Sequence, residues 1–210
     1  MNRNSKQYPY LLFWISWLTK GEFCPLPSNL TWTRENGVIL DGDHYAGNVY
    51  RANLLEELAL HDQNSYWGKL ALVEMIRRGW NERSTCRGYS VSKFLTVILI
   101  GKKFLQEHPH SEFSLRIVLD LARAYETWWD LPREKFFSGE RGVNVNFLRS
   151  RYKKDSNAAR KEAIYYYTLY LQKQNPLSLP EKIYIQEILL LLKKKLDTEE
   201  TFFFYPEPCE

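Results

Sequence analysis

A chain of 210 residues with 44% hydrophobic and 26% charged residues carries enough apolar material to bury a core, which excludes a largely disordered protein. Its 29 basic and 25 acidic residues leave a formal charge of +4, and that small excess is unevenly spread. Aromatic residues reach 15%, and their expected place is an aromatic-rich core, with some of the rings available as a stacking or interface surface.

Three cysteines, Cys24, Cys86 and Cys209, lie far apart and form neither a CxxC pair nor a zinc spacing. A disulfide framework is not expected, so a reducing compartment and a cytoplasmic location are. The Asn29-Leu30-Thr31 sequon then carries no meaning. Arg3 and Lys6 precede an apolar run from Tyr10 to Leu18 that superficially resembles a signal peptide. The run is too short to span a bilayer, is rich in Trp and lacks a small-residue cleavage site. It is expected to be a docked first helix over 8–20, closed by Gly21, with no membrane partner.

One stretch has β character: 30–35 can pair with 38–40 across Asn36-Gly37, a strong short hairpin signal. From residue 50 onwards helical spacing takes over. Leu54, Leu55, Leu58 and Ala59 predict a helix near 50–62. Ser65 is placed to cap a second, with Leu70, Val73 and Ile76 on one face. Ser90 caps a third, whose apolar residues are Phe94, Leu95, Ile98, Leu99 and Leu105, and His108-Pro109-His110 ends it. Ser111 caps a fourth, containing Leu115, Val118, Leu119, Ala122, Tyr125, Trp128 and Trp129, which Pro132 stops. Helices over 144–154 and 156–174, continuous or not, precede Asn175-Pro176, and Pro180 opens a final apolar helix ending in three lysines.

The reading is a mainly α protein: an irregular bundle of about seven helices with a short β-hairpin near 30–40. One helical domain spans 1–196, followed by an acidic, aromatic tail over 197–210. No internal repeat at a fixed offset is found.

The case for catalysis is thin. GxGxxG, P-loop, GxSxG and HExxH motifs are all missing, and no cofactor is expected. Asp41-Gly42-Asp43-His44 places two carboxylates and an imidazole in a turn, which is either ordinary turn chemistry or the start of a divalent-metal site. His108 and His110, flanked by Glu107 and Glu112, give no complete ligand set. Cys86 beside Arg87 has no general base that the sequence identifies.

Charge distribution says more. Residues 133–161 hold nine basic and three acidic residues, a net of +6, so the rest of the chain is −2. Lysine and arginine neutralise phosphates or meet acidic protein surfaces, and the neighbouring Phe136, Phe137, Phe147 and Tyr165-Tyr166-Tyr167 offer rings for stacking. The same charges also fit a merely solvated helix face. In the tail, Phe202, Phe203, Phe204 and Tyr205 are four consecutive aromatics among glutamates, either folded back on the bundle or docking a partner.

The first expectation is a non-enzymatic helical binding protein that contacts nucleic acid or an acidic partner through Arg149, Arg151, Lys153, Lys154, Arg160 and Lys161. The second is an interaction or regulatory accessory subunit of a prokaryotic complex, such as a defence complex, docking through Trp128, Trp129 and 202–205. The third is a metal-dependent enzyme around Asp41, Asp43 and His44. Another protein is the expected partner, with nucleic acid the alternative. No motif carries a family resemblance.

Overall fold

In the computed structural model, the described residues are 38–40, 48–50, 58–60, 62–78, 93–133, 150, 152–173 and 178–198. The chain is mainly helical. The elements are β1 (Val38–Leu40), β2 (Asn48–Tyr50), α1 (Tyr66–Arg78), α2 (Lys93–Glu107), α3 (Ser114–Asp130), α4 (Ser156–Lys173) and α5 (Leu179–Lys193). Helical residues at 58–60, 150 and 152–153 add to these. The chain divides into two compact units, Met1–Met75 and Ile76–Glu210, with α1 running through the division.

In the first unit, β1 pairs antiparallel with β2, Val38 opposite Tyr50 and Leu40 opposite Asn48. The strand at 38–40 is where the sequence puts it, and the partner described for it, 48–50, follows it in the chain. The proposed partner strand, 30–35, lies outside the described residues. Ser65 opens α1 as expected: its hydroxyl oxygen accepts from the Gly68 backbone N–H at 3.0 Å. Gly68 must be glycine, because a Cβ there would sit 1.9 Å from the Asp62 carbonyl oxygen. Leu58, Ala59, Ala71, Val73 and Met75 are buried.

The second unit is built on α3. Its apolar residues Ile117, Val118, Leu121, Ala122, Tyr125 and Trp129 recur at helical spacing and are all buried. The turn leading into it uses Ser111, whose hydroxyl accepts from the Phe113 backbone N–H at 3.2 Å. Ser114 then donates its hydroxyl hydrogen to the His108 carbonyl at 2.8 Å, tying the end of α2 to the start of α3. Helix α2 packs antiparallel on α3 through Phe94, Val97, Ile98 and Phe104. At the crossing stands Gly101, where a Cβ would lie 3.1 Å from Leu121 Cδ2 and 3.3 Å from Ile117 Cγ2. Leu99, expected among the apolar positions of α2, is exposed at 74%.

Helix α4 lies on α3 over a long seam, because Ala159 and Ala163 are small enough to let the backbones approach. Tyr166, Tyr167 and Tyr170 fill the rest of that seam, so two of the three consecutive tyrosines point inward while Tyr165 is exposed. The two helices run antiparallel: Arg160 lies near Trp129, while Tyr166 stacks on Tyr125 with ring centroids 5.9 Å apart. A turn at 154–155 separates α4 from the preceding helical residues, and the Ser156 hydroxyl donates to the Lys153 carbonyl at 3.1 Å.

Ser178 caps α5 by accepting from the Glu181 backbone N–H at 3.4 Å, with Pro180 in the first turn. Glu181 in turn accepts from the Tyr170 hydroxyl at 2.8 Å, fixing α5 to α4. Ile185, Ile188, Leu189 and Leu192 supply its buried face. Its end is closed by Lys195 at φ 60°, with the Leu196 N–H donating back to the Leu191 carbonyl at 3.0 Å. Roughly 1.5–3 kcal/mol per fully buried large side chain makes these faces the main source of the unit's stability.

Candidate functional site

Two polar constructions stand out in the second unit. The first is a clamp at the end of α3. Asp130 is buried and receives Thr198: the backbone N–H donates to both carboxylate oxygens, at 3.3 and 3.2 Å, and the Thr198 hydroxyl donates to Oδ2. Burial pushes the Asp130 carboxyl up to about 7, the Thr198 hydrogen bonds draw it back down, and nearby Asp197 raises it. Beside it, the Arg133 guanidinium lies 3.2 Å from the Trp129 ring centroid and donates to the Trp129 carbonyl, with Asp197 at 3.9 Å. Burial lowers the Arg133 pKa. The Trp129 indole N–H donates to the Leu196 carbonyl at 3.2 Å. Every group in the clamp is engaged with another part of the same chain, so its role is to seat 196–198 against α3.

A second buried pair lies deeper in the seam, where the Tyr167 hydroxyl donates to Glu126 Oε2. Burial and the Glu126 charge hold the Tyr167 pKa well above its ordinary value, so this phenol keeps its proton in that hydrogen bond.

The second construction opens to solvent. The C-terminal half of α2, the first turns of α3 and the C-terminal half of α4 leave between them a groove of about 440 Å³. That is within the range of small ligand pockets, roughly 300–1,000 Å³. Leu105, Leu115, Val118 and Leu169 form its apolar lining, with Tyr165 and Tyr166 along one wall. Lys102 and Lys173 are its charged residues, and no lining residue is acidic. Lys102 lies at the Tyr125 side, its ammonium 5.2 Å from that ring and 3.8 Å from Glu162. Its hydrogen bond with Tyr125 holds its pKa above the ordinary lysine value, so the ammonium stays charged. Lys173 ends α4 and, because α3 and α4 are antiparallel, stands toward the start of α3. Burial pushes the Tyr166 hydroxyl up to about 12, so Tyr166 is a neutral hydrogen-bonding group here.

The residues singled out in the sequence fall into three groups. Lys153, Lys154 and Lys161 are exposed. Arg160 is turned inward: its Nη1 donates to the Leu192 carbonyl at 2.9 Å, and its guanidinium lies 5.4 Å from the Trp129 ring. Trp129 is 1% exposed and enclosed by its own chain, while half-buried Trp128 stacks on Tyr125 and tilts against Phe94. Arg149, Arg151, Phe202, Phe203, Phe204, Tyr205 and the Asp41, Asp43, His44 turn lie outside the described residues.

His108 packs on Phe104, ring centroids 5.2 Å apart, inside the α2–α3 connection. Among the described residues there is no group of three potential metal ligands, and no helix is long and apolar enough to cross a membrane.

The groove was not among the sequence candidates. Its one trace in the sequence is a surplus of apolar positions, Leu105 and Leu115, off the buried faces of their helices, with Lys102 three residues before Leu105. Comparison with protein-family models, with curated proteins and with solved structures returns no match to this chain.

Proposed function

We propose that the protein is a non-enzymatic helical binding protein whose groove between α2, α3 and α4 takes an acidic, apolar-centred segment of a partner protein. The observation that carries this is the lining itself: an apolar floor between Lys102 and Lys173, with no acidic residue in the lining and Glu162 at 3.8 Å behind Lys102. A carboxylate-bearing segment gains from the two ammonium groups at the ends, and its apolar centre gains from leaving water.

The state of the basic segment favours a protein ligand over nucleic acid. Of its described members, Arg133 and Arg160 spend their guanidiniums on the Trp129 ring and on backbone carbonyls. Among these described members, what faces solvent is lysine, a point charge without the planar fork that reads phosphates and bases. Lys154 and Lys161 then extend the positive field that steers an acidic partner toward α4.

A synthetic peptide with glutamates at both ends and leucine and phenylalanine at its centre tests the reading. Backbone amide NMR during a millimolar titration should show shifts gathering around Leu105, Leu115, Val118 and Leu169, lost in K102E/K173E. A lysine-for-glutamate peptide and a single-stranded DNA 12-mer serve as the other probes. Shifts that follow the DNA on Lys153, Lys154 and Lys161, with none in the groove, overturn the proposal.

A further inference from the structure

Helix α5 has two apolar faces. Ile185, Ile188, Leu189 and Leu192 are buried in the second unit. Leu179, Ile183 and Leu190 are 70%, 46% and 51% exposed. With exposed Gln186 they follow at spacings of four, three and four, which makes one stripe along the helix. At about 100° per residue this stripe lies nearly opposite the buried face. Apolar residues exposed singly are ordinary, but aligned ones form a surface that gains from being covered.

The stripe has heptad spacing, with Ile183 and Leu190 at a, and Leu179 and Gln186 at d. Its flanks are charged. Lys182 stands on one side, at g, and Glu187 on the other, at e. Both are exposed, and among the described residues neither is in an ion pair. They lie on opposite sides of the stripe, so they do not meet within one helix.

The direction of a second α5 decides what each charge meets. In a parallel pair, related by a two-fold axis along the helices, the g side of one helix faces the e side of the other. Lys182 then meets Glu187 of the second copy, and the contact is made twice. In an antiparallel pair the g sides face each other, as do the e sides, so lysine opposes lysine and glutamate opposes glutamate. Isoleucine at a with leucine at d also suits a parallel two-stranded seam. Gln186 would face its own counterpart, and a polar layer of this kind fixes register. Lys193, exposed at the next d position, brings two like charges together and ends the seam.

We infer that the exposed face of α5 is a self-association surface, on which two copies of the chain pair through parallel, in-register α5 helices. Leu179, Ile183 and Leu190 meet their counterparts, and Lys182 meets Glu187. Leu179 to Leu190 spans about 16 Å at 1.5 Å per residue. Such a short seam belongs with small, transient interfaces, under about 1,200 Å², so the dimer is weak and governed by concentration. The groove's lining includes no residue of α5, so this inference and the groove reading stand or fall separately.

Sedimentation equilibrium of the full chain, from low micromolar to submillimolar concentration, should show monomers and dimers in exchange. I183K/L190K changes two exposed positions and should stay monomeric throughout, with its helical circular dichroism retained. K182E and E187K should each weaken the dimer severalfold, and K182E/E187K should restore it. Orientation is read by mixing I183C and Q186C chains, oxidising mildly and mapping the adducts by mass spectrometry. The parallel pair gives 183–183 and 186–186 links. A chain that is monomeric at every concentration overturns the inference, as does a dimer that survives I183K/L190K. Links from 183 to 186 overturn the parallel direction, and a K182E/E187K chain that fails to recover overturns the charge contact.

Discussion

Asp130 accepts the backbone N–H of Thr198 on both of its carboxylate oxygens, across sixty-eight residues of sequence. This contact fixes the point from which the tail departs. It also makes a buried carboxyl the structural anchor of the chain's end.

That carboxyl predicts a pH dependence of stability. Its folded pKa of about 7 exceeds the ordinary 3.8, so between these values the folded state binds more protons than the unfolded one. Stability is therefore fully present below about pH 4 and is lost as pH rises through 7, by a few kcal/mol in all. Urea unfolding from pH 4 to 8 should show this decline. D130N keeps the acceptor oxygen without the charge, and should flatten Asp130's share of the profile and be no less stable than the unaltered chain at pH 7.5. A slope unchanged in D130N would contradict the assignment.

Gly101 sets the α2–α3 separation, since a Cβ there already lies 3.1 Å from Leu121. G101V adds two methyl groups beyond that Cβ. The expected loss is about 1–3 kcal/mol, read as a lower urea midpoint with an unchanged slope. Retained stability would mean that α2 can shift away from α3 without cost.

Lys195 adopts φ 60° to close α5. Glycine takes that conformation without the steric penalty of a side chain. K195G should therefore raise stability by about 0.5–1 kcal/mol, a rare gain from a glycine substitution. A thermal midpoint that falls instead would mean that the lysine side chain holds the turn.

Trp129 and the lysines of α4 should behave oppositely when truncated. Trp129 is buried under Arg133 and bonded to the Leu196 carbonyl, so W129A should cost about 3–5 kcal/mol. K153A and K161A touch solvated side chains and should stay within about 0.5 kcal/mol of the unaltered chain. Denaturant melts of the three variants separate these cases.

The helices were legible because their signals are local. Ser65 at the start of α1, Pro180 at the start of α5, and the spacing of Val118, Ala122, Tyr125 and Trp129 each act within a turn or two. The strand at 38–40 was also legible from its residues, whereas its pairing with 48–50 was not. Asn36-Gly37 favours a tight turn locally, while pairing with 48–50 depends on contacts across a longer loop. Leu99 shows the limit of apolar periodicity: it continues the pattern of α2, yet nothing described packs over it.

The candidate site was less legible, because three helices build it. Lys102, Val118 and Lys173 are far apart in sequence and meet only after α3 and α4 have packed antiparallel. The charge count over 133–161 was sound as arithmetic, but it did not show where the side chains go. Arg133 and Arg160 turn onto Trp129, which partly withdraws two charges from the surface and covers the tryptophan. Part of the aromatic content of the sequence is buried inside the second unit, as Phe94, Phe104, Tyr152, Tyr166, Tyr167 and Tyr170.

A charge exchange tests the central claim most directly. Fluorescence anisotropy measures binding of the acid-ended peptide and of its lysine-for-glutamate counterpart to the chain with and without K102E/K173E. The groove account predicts that the acidic peptide binds only the protein with both lysines, and that the basic peptide binds only the protein with both glutamates. Binding of the acidic peptide that survives K102E/K173E undiminished, with no recovery by the basic peptide, would contradict it.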